Sequence, residues 1–345
     1  MTLPSELPVV QAPMAGGPST AELTAAVSAA GGYGFLAAGY LSAAGLSGLI
    51  AATRALTGRP FGVNLFVPSA PRDPVDVAGY AELLQPEADR LGVALGEPRW
   101  DDDDYPAKLS VLEDAGVHLV SFTFGCPSEQ VVERLHRAGS QVAVTVTSTP
   151  EARLAMAAGA DLLIVQGTEA GGHQGSFVEV PAGEIAANRR PLLAILAELR
   201  ETAQLPMIGT GGVMSGADAA RVLHAGAVAV QIGTALLCTP EAGTSAVYRD
   251  ALQDPSFADT IVTRAYSGRY ARGLVNRFAL EHHDQAPQAY PEVHHLTRPV
   301  RAAATRAGDA DVPNLWAGTG WRQLTVEPAA VIVSRIAAQA RSLAR

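Results

Sequence analysis

Largely apolar runs recur along the chain at Val9 to Met14, Gly34 to Ala37, Phe61 to Leu65, Val117 to Phe122, Gln141 to Val146, Leu162 to Val165, Met207 to Gly209 and Ala229 to Ile232. They do not alternate with polar positions, which predicts strands buried on both faces, as in a parallel sheet. Between them lie amphipathic stretches of helical length: Thr20 to Ala30, Ser42 to Thr57, Ser128 to Ala138, Pro150 to Ala158, Pro191 to Ala203 and Ser215 to Ala225. Ser, Thr or Pro opens several of these and Gly follows several, as the unpaired amides and carbonyls at helix ends favour. The joints Glu113-Asp114-Ala115-Gly116, Ala157-Ala158-Gly159 and His224-Ala225-Gly226 repeat one way of passing from helix to strand. A strand–loop–helix unit recurring about eight times predicts an α/β fold, a (β/α)8 TIM barrel with a smaller cap subdomain inserted near the C-terminus. An open doubly wound sheet is the alternative that pattern alone leaves standing.

Three stretches break the rhythm. Residues 68–106 are rich in Pro and acidic residues and read as a surface excursion containing one helix, with Asp101 to Asp104 as a solvated acidic turn. Residues 166–190 are glycine-dense and too long for an ordinary connection, which marks a functional loop. Residues 254–322 are polar, with Pro, His and Arg clusters, and precede a closing helix over 328–343. The expected division is a barrel over 1–253, a cap over 254–322 and a C-terminal helix within 323–345 that returns to the barrel.

Composition narrows the partners. In 345 residues, 48% are hydrophobic, 17% are charged and 34 are Gly, which suits one large core rather than disorder. A net charge of -9 supplies no basic stripe for a phosphate backbone, so nucleic acid is not an expected partner. Cys126 and Cys238 are the two cysteines, and no basic and apolar leader precedes Val10, so the expected setting is cytoplasmic. Leu23 to Thr53 has no charged residue, yet its glycines divide it into helix, strand and helix rather than a membrane span. The expected protein meets no membrane, takes a small-molecule partner and is a monomer or homodimer.

In such a barrel, chemistry gathers just after the strands. There stand Pro13, Met14 and Ala15; Asn64; Thr123; Gln166 with Gly171, Gly172 and His173; Gly211 and Gly212; and Gln231, Ile232, Gly233 and Thr234. Glycines after the seventh and eighth strands let backbone N–H groups approach a phosphate, with helix N-termini adding a favourable dipole; tight turns are the plainer explanation. Asn64, Gln166 and Gln231 can donate and accept hydrogen bonds, as a heteroaromatic ring with carbonyls and ring nitrogens requires. His173 is the lone histidine of its loop, placed to take a proton or hold an anion. No His or Cys spacing suggests a metal site.

The ordered phrases Gln11-Ala12-Pro13-Met14-Ala15-Gly16-Gly17, Ser121-Phe122-Thr123-Phe124-Gly125, Gln166-Gly167-Thr168-Glu169-Ala170-Gly171-Gly172-His173-Gln174-Gly175, Gly211-Gly212 and Gly233-Thr234 resemble the nitronate monooxygenases (2-nitropropane dioxygenases), class I in their first motif. The resemblance implies non-covalent FMN and O2-dependent oxidation of alkyl nitronates, propionate 3-nitronate above all, to a carbonyl product and nitrogen oxides. By matched positions it implies His173 as catalytic base or anion-binding residue, and FMN contacts from Pro13, Met14, Ala15, Asn64, Gln166, Gly171, Gly212, Gln231, Gly233 and Thr234. Gly172, Gly211 and Ile232 stand beside these, and Thr123 and Tyr266 are candidate substrate contacts. An NAD(P)H-dependent flavin reductase of the enoyl-acyl-carrier-protein or quinone type shares the Glu-Ala-Gly-Gly-His motif and is the rival enzyme; a flavin-binding protein without turnover is the non-enzyme alternative.

Overall fold

The computed structural model describes residues 3–69, 77–178 and 190–343; the part of the glycine-dense loop over 179–189 lies outside the described residues. Eight parallel strands, β1 (Val9–Gln11), β2 (Gly34–Ala37), β3 (Phe61–Phe66), β4 (Leu119–Thr123), β5 (Gln141–Val146), β6 (Leu162–Gln166), β8 (Met207–Thr210) and β9 (Ala229–Ile232), form one sheet in the order β1-β9-β8-β6-β5-β4-β3-β2. The two ends of that order meet: Gln11 N donates to Tyr33 O at 2.9 Å, and Tyr33 N to Val9 O at 2.9 Å. Closure makes it a TIM barrel and leaves no open edge.

Helices follow the strands: α1 (Ala21–Ala29), α2 (Ala43–Leu56), α3 (Val77–Arg90), α4 (Tyr105–Ala115), α5 (Glu129–Arg137), α6 (Thr149–Ala157), α7 (Leu192–Thr202) and α8 (Gly216–His224). Their entries are built from side-chain caps: Thr20, Ser42, Ser128, Ser148 and Ser215 each accept from a backbone N–H one turn on. Along the strands two apolar sets alternate. Val10, Phe35, Leu119, Ala143, Leu162, Ile164, Ile208 and Ala229 fill the barrel, while Val9, Leu36, Val63, Val120, Val142, Leu163, Val165 and Val230 face the helices. That double burial is why the strands read as unbroken apolar runs.

The first strand ends at Gln11, three residues before the apolar run does, because Pro13 has no N–H for a ladder and the chain turns inward there. The polar C-terminal region forms α9 (Ala246–Gln253), β10 (Thr260–Thr263), β11 (Ala271–Leu274), α10 (Arg277–His282), α11 (Glu292–Ala307) and α12 (Ala329–Leu343). Strand β7 (Gly172–His173) pairs antiparallel with β11, placing His173 opposite Ala271. A second hydrophobic cluster joins Val77, Tyr80, Leu84 and Ala88 of α3 to Tyr266, Phe278, Val293, Leu296 and Val300. The excursion after β3 therefore packs into the C-terminal region instead of lying loose on the surface. Helix α12 returns to the barrel and packs on α8, where a Cβ at Gly216 would come within 2.1 Å of Gln339 Cβ. Among the described residues no helix is long and apolar enough to cross a membrane.

Candidate active site

A cavity of about 890 Å³ opens at the carboxyl ends of the strands. Its lining contains every residue the sequence singled out except Ile232, whose side chain is buried in the core behind the strands; Ile232 is thus corrected from a ligand contact to a packing residue. The distant motifs converge there. A Cβ at Gly211 would lie 3.2 Å from Ala170 N, one at Gly171 2.6 Å from Gly318 N, and one at Gly233 3.6 Å from Met14 Sδ. Gly318 N donates to Thr234 Oγ1 at 3.0 Å.

Among the described residues the backbone N–H groups of Gly211, Gly212, Gly233 and Thr234 have no protein acceptor. Positive φ at Gly211 (126°) and Gly212 (69°) turns successive amides toward one place, a conformation a side chain would resist. The helix dipole expected to help is already engaged, because Asp218 Oδ2 accepts from Met214 N, Ser215 N and Ser215 Oγ in a capping box at the start of α8. The cradle is made of loop amides rather than of that helix.

The three amides take different roles. Gln231 Nε2 is a buried donor with no acceptor among the described residues, as a bound carbonyl or ring nitrogen requires. Asn64 Oδ1 accepts from Ser121 Oγ at 2.8 Å and Thr123 Oγ1 at 3.0 Å, which fixes the amide and leaves its nitrogen as the free end. Gln166 lines the cavity, and its Nε2 donates to His173 O at 3.0 Å while its Oε1 accepts from Gly175 N at 2.7 Å, leaving one N–H and one lone pair for a ligand. Both ends hold the loop that carries His173.

His173 Nε2 lies 2.8 Å from Ser267 Oγ. Ser267 Oγ also lies 3.1 Å from Arg269 O; with its hydroxyl proton turned to that carbonyl it accepts from a ring protonated on Nε2. Nδ1 keeps its lone pair, with no partner among the described residues. Burial, with Arg269 and Arg301 nearby, lowers the His173 pKa to about 3, so the ring is neutral at ordinary pH. Phe124, Tyr290 and Trp316 surround it with ring centroids at 5.5, 5.9 and 5.5 Å.

The sequence reading missed the cap's contribution. His294, Arg298, Arg301 and Thr305 of α11 all line the cavity, and their spacing of four, three and four puts them on one helical face. Arg301 is partly buried, bonds neutral acceptors at Thr297 Oγ1 (3.0 Å) and Asn314 Oδ1 (2.6 Å), and has no carboxylate partner among the described residues. Burial lowers its pKa to about 10, which leaves it charged at neutral pH. Tyr266 is placed differently from the expectation: its hydroxyl donates to Asn276 Oδ1 at 2.6 Å, and its ring packs edge-on to Trp316 at 5.3 Å. It supports the wall instead of presenting its hydroxyl to a substrate.

A closed (β/α)8 barrel whose cavity gathers loop amides without acceptors, a neutral histidine and a guanidinium with no carboxylate partner among the described residues has the layout of an enzyme for a small molecule. The family model for nitronate monooxygenase matches residues 3–338. A probable nitronate monooxygenase of Staphylococcus aureus (strain MSSA476) is 35% identical over 341 residues, 96% of this chain and 93% of the relative. The solved nitroalkane oxidase from Streptomyces ansochromogenes superposes with a TM-score of 0.95 at 49% identity, over 98% of this chain and 97% of that one. FabK from Thermotoga maritima superposes with a TM-score of 0.75 at 26% identity, over 98% and 94%. The chain belongs to the nitronate monooxygenase family and is an oxidoreductase.

Proposed function

We propose that this enzyme binds FMN and oxidises alkyl nitronates with O2, propionate 3-nitronate among them, giving a carbonyl compound and nitrite or nitrate. The carrying observation is the joint placement, in one cavity beside neutral His173, of amides at 211–212 and 233–234 and a Gln231 donor that have no acceptor, and an Arg301 guanidinium that has no counter-ion, among the described residues. The residues fit the group. Gly211, Gly212, Gly233 and Thr234 would hold the phosphate, Gln231 and Asn64 the ring's polar edge, and Pro13, Met14, Ala15, Gly171 and Gly172 would close around it. Bound FMN supplies the capacity to take electrons from a nitronate and deliver them to O2.

The chain's own residues do the rest. Arg301 holds a substrate carboxylate, and Arg298 adds positive charge at the same face against a single lining carboxylate among the described residues, Glu22. The Nδ1 lone pair of His173 takes the α-proton when a neutral nitroalkane binds; a preformed nitronate arrives without it. Thr123, bonded to Asn64, belongs to the ring's surroundings. In this reading 254–322, together with α3, caps the 1–253 barrel, and 323–345 closes it from outside. The partners are nitronate and O2.

The Glu169-Ala170-Gly171-Gly172-His173 motif, shared with flavin reductases, favours one alternative, NAD(P)H-dependent reduction at the same site. Oxygen uptake separates the readings. Propionate 3-nitronate without nicotinamide sustains uptake in the oxidase; NADH-dependent uptake with none from nitronate would establish the reductase, and none from either would leave a flavin-binding protein. Arg301→Gln raises KM for propionate 3-nitronate roughly tenfold or more, the scale of a charge-assisted hydrogen bond, with a much smaller effect on ethyl nitronate.

A further inference from the structure

Tyr40, between β2 and α2, is a non-glycine residue in the left-handed region, at φ 67°. Such backbone is held only where neighbours over-determine it. Its ring stacks on His294 with centroids 4.2 Å apart and planes 2° apart, and the pair joins the barrel to α11 of the cap. Both rings line the active-site cavity and also a second cavity of about 360 Å³ beyond it. They form a partition between the two.

What fixes the partition lies away from the chemistry. Asp103 Oδ1 accepts from Tyr40 N at 2.9 Å, and Asp103 Oδ2 lies 2.8 Å from Nζ of Lys108, a fully buried lysine of α4. On the other ring's side, Asp101 Oδ2 lies 2.8 Å from Nε2 of His295, the neighbour of His294. The chain leading into this turn is pressed on α11: Gly96 N donates to Leu296 O at 2.9 Å, and a Cβ at Gly96 would come within 2.0 Å of His295 O. One turn thus holds the backbone of Tyr40 and the neighbour of His294 through separate carboxylates.

We propose that Asp103, anchored by Lys108, is a positioning residue for substrate: it holds Tyr40 in its left-handed conformation, parallel to His294, and so sets the shape of the chamber that receives the nitronate. This rests on the chamber's assignment above. Asp103 touches neither substrate nor cofactor; it acts through Tyr40.

Two double variants separate position from charge. D103N/K108M removes both charges and keeps a side-chain oxygen for Tyr40 N; D103A/K108M removes both charges and the oxygen. Both are compared with the parent for melting temperature, flavin content, KM and kcat with propionate 3-nitronate, and crystal structure. D103N/K108M keeps the parent KM within twofold. D103A/K108M retains flavin, raises KM roughly fivefold to tenfold with kcat little changed, and shows Tyr40 out of the left-handed region and off His294. A folded D103A/K108M with the parent KM and an unmoved Tyr40 ring would overturn the proposal. Kinetics and crystal structure keep two failures apart: a parent inert toward nitronates overturns the chamber's assignment, whereas an unmoved Tyr40 in D103A/K108M overturns the positioning.

Discussion

At His173 the chemistry turns on which ring nitrogen carries the proton. Ser267 Oγ lies 2.8 Å from Nε2 and 3.1 Å from Arg269 O; with its proton turned to the carbonyl it accepts from Nε2 and leaves Nδ1 free. Burial and two arginines keep the ring neutral, which leaves a lone pair free but weakens it as a proton acceptor, so the base role rests on the negative charge that develops on the bound nitroalkane. His173→Asn lowers kcat/KM for neutral nitroethane by roughly 100-fold, the scale of a positioned general base, and affects preformed ethyl nitronate far less. Equal losses on both substrates would contradict the base assignment. His173 was legible because it stands alone in a glycine-dense loop. Ser267 stood out only within the family-like stretch Tyr266 to Arg269; its link to His173 was not legible, because it lies 94 positions away and is brought to the ring by the pairing of β7 with β11.

Among the elements, the helix–strand units were legible because double burial and side-chain capping leave local signals. Helix α8 shows the strength of one such signal. Ser215→Ala removes the capping box, costs about 1 kcal/mol and lowers Tm by about 1–2 °C with flavin content unchanged, since the cradle amides precede the helix; thermal melts followed by circular dichroism check it. The cap elements were harder to see. Helix α11 carries a polar stripe at 294, 298, 301 and 305, but a stripe of His and Arg reads locally as a solvated face. Only the packing of Val293, Leu296 and Val300 against α3 turns that stripe inward. Asp101 to Asp104 misled for the same reason: four acidic residues imply water, yet Asp103 faces the buried Lys108.

Over the whole molecule, several histidines are held neutral by burial. The pKa values of His173 and His294 are lowered, that of His173 to about 3, and those of His282 and His118 are lowered as well. An unfolded histidine titrates near 6.5, so below that pH the unfolded chain binds protons that the folded one refuses. Stability is therefore full above about pH 6.5 and declines as pH falls toward the folded values. Tm decreases from pH 7 to pH 5, and His173→Gln makes the decrease shallower; a Tm independent of pH over that window would contradict the burial of these rings as neutral species.

The central claim is that one cavity holds FMN and lets a nitronate reduce it. Purified protein reconstituted with FMN and mixed anaerobically with propionate 3-nitronate tests it directly. The flavin absorbance is predicted to bleach on nitronate alone, at about one FMN per chain, and NADH is predicted to leave it unchanged at first. Protein that takes up no flavin, or flavin bleached rapidly by NADH and untouched by nitronate, would contradict the account.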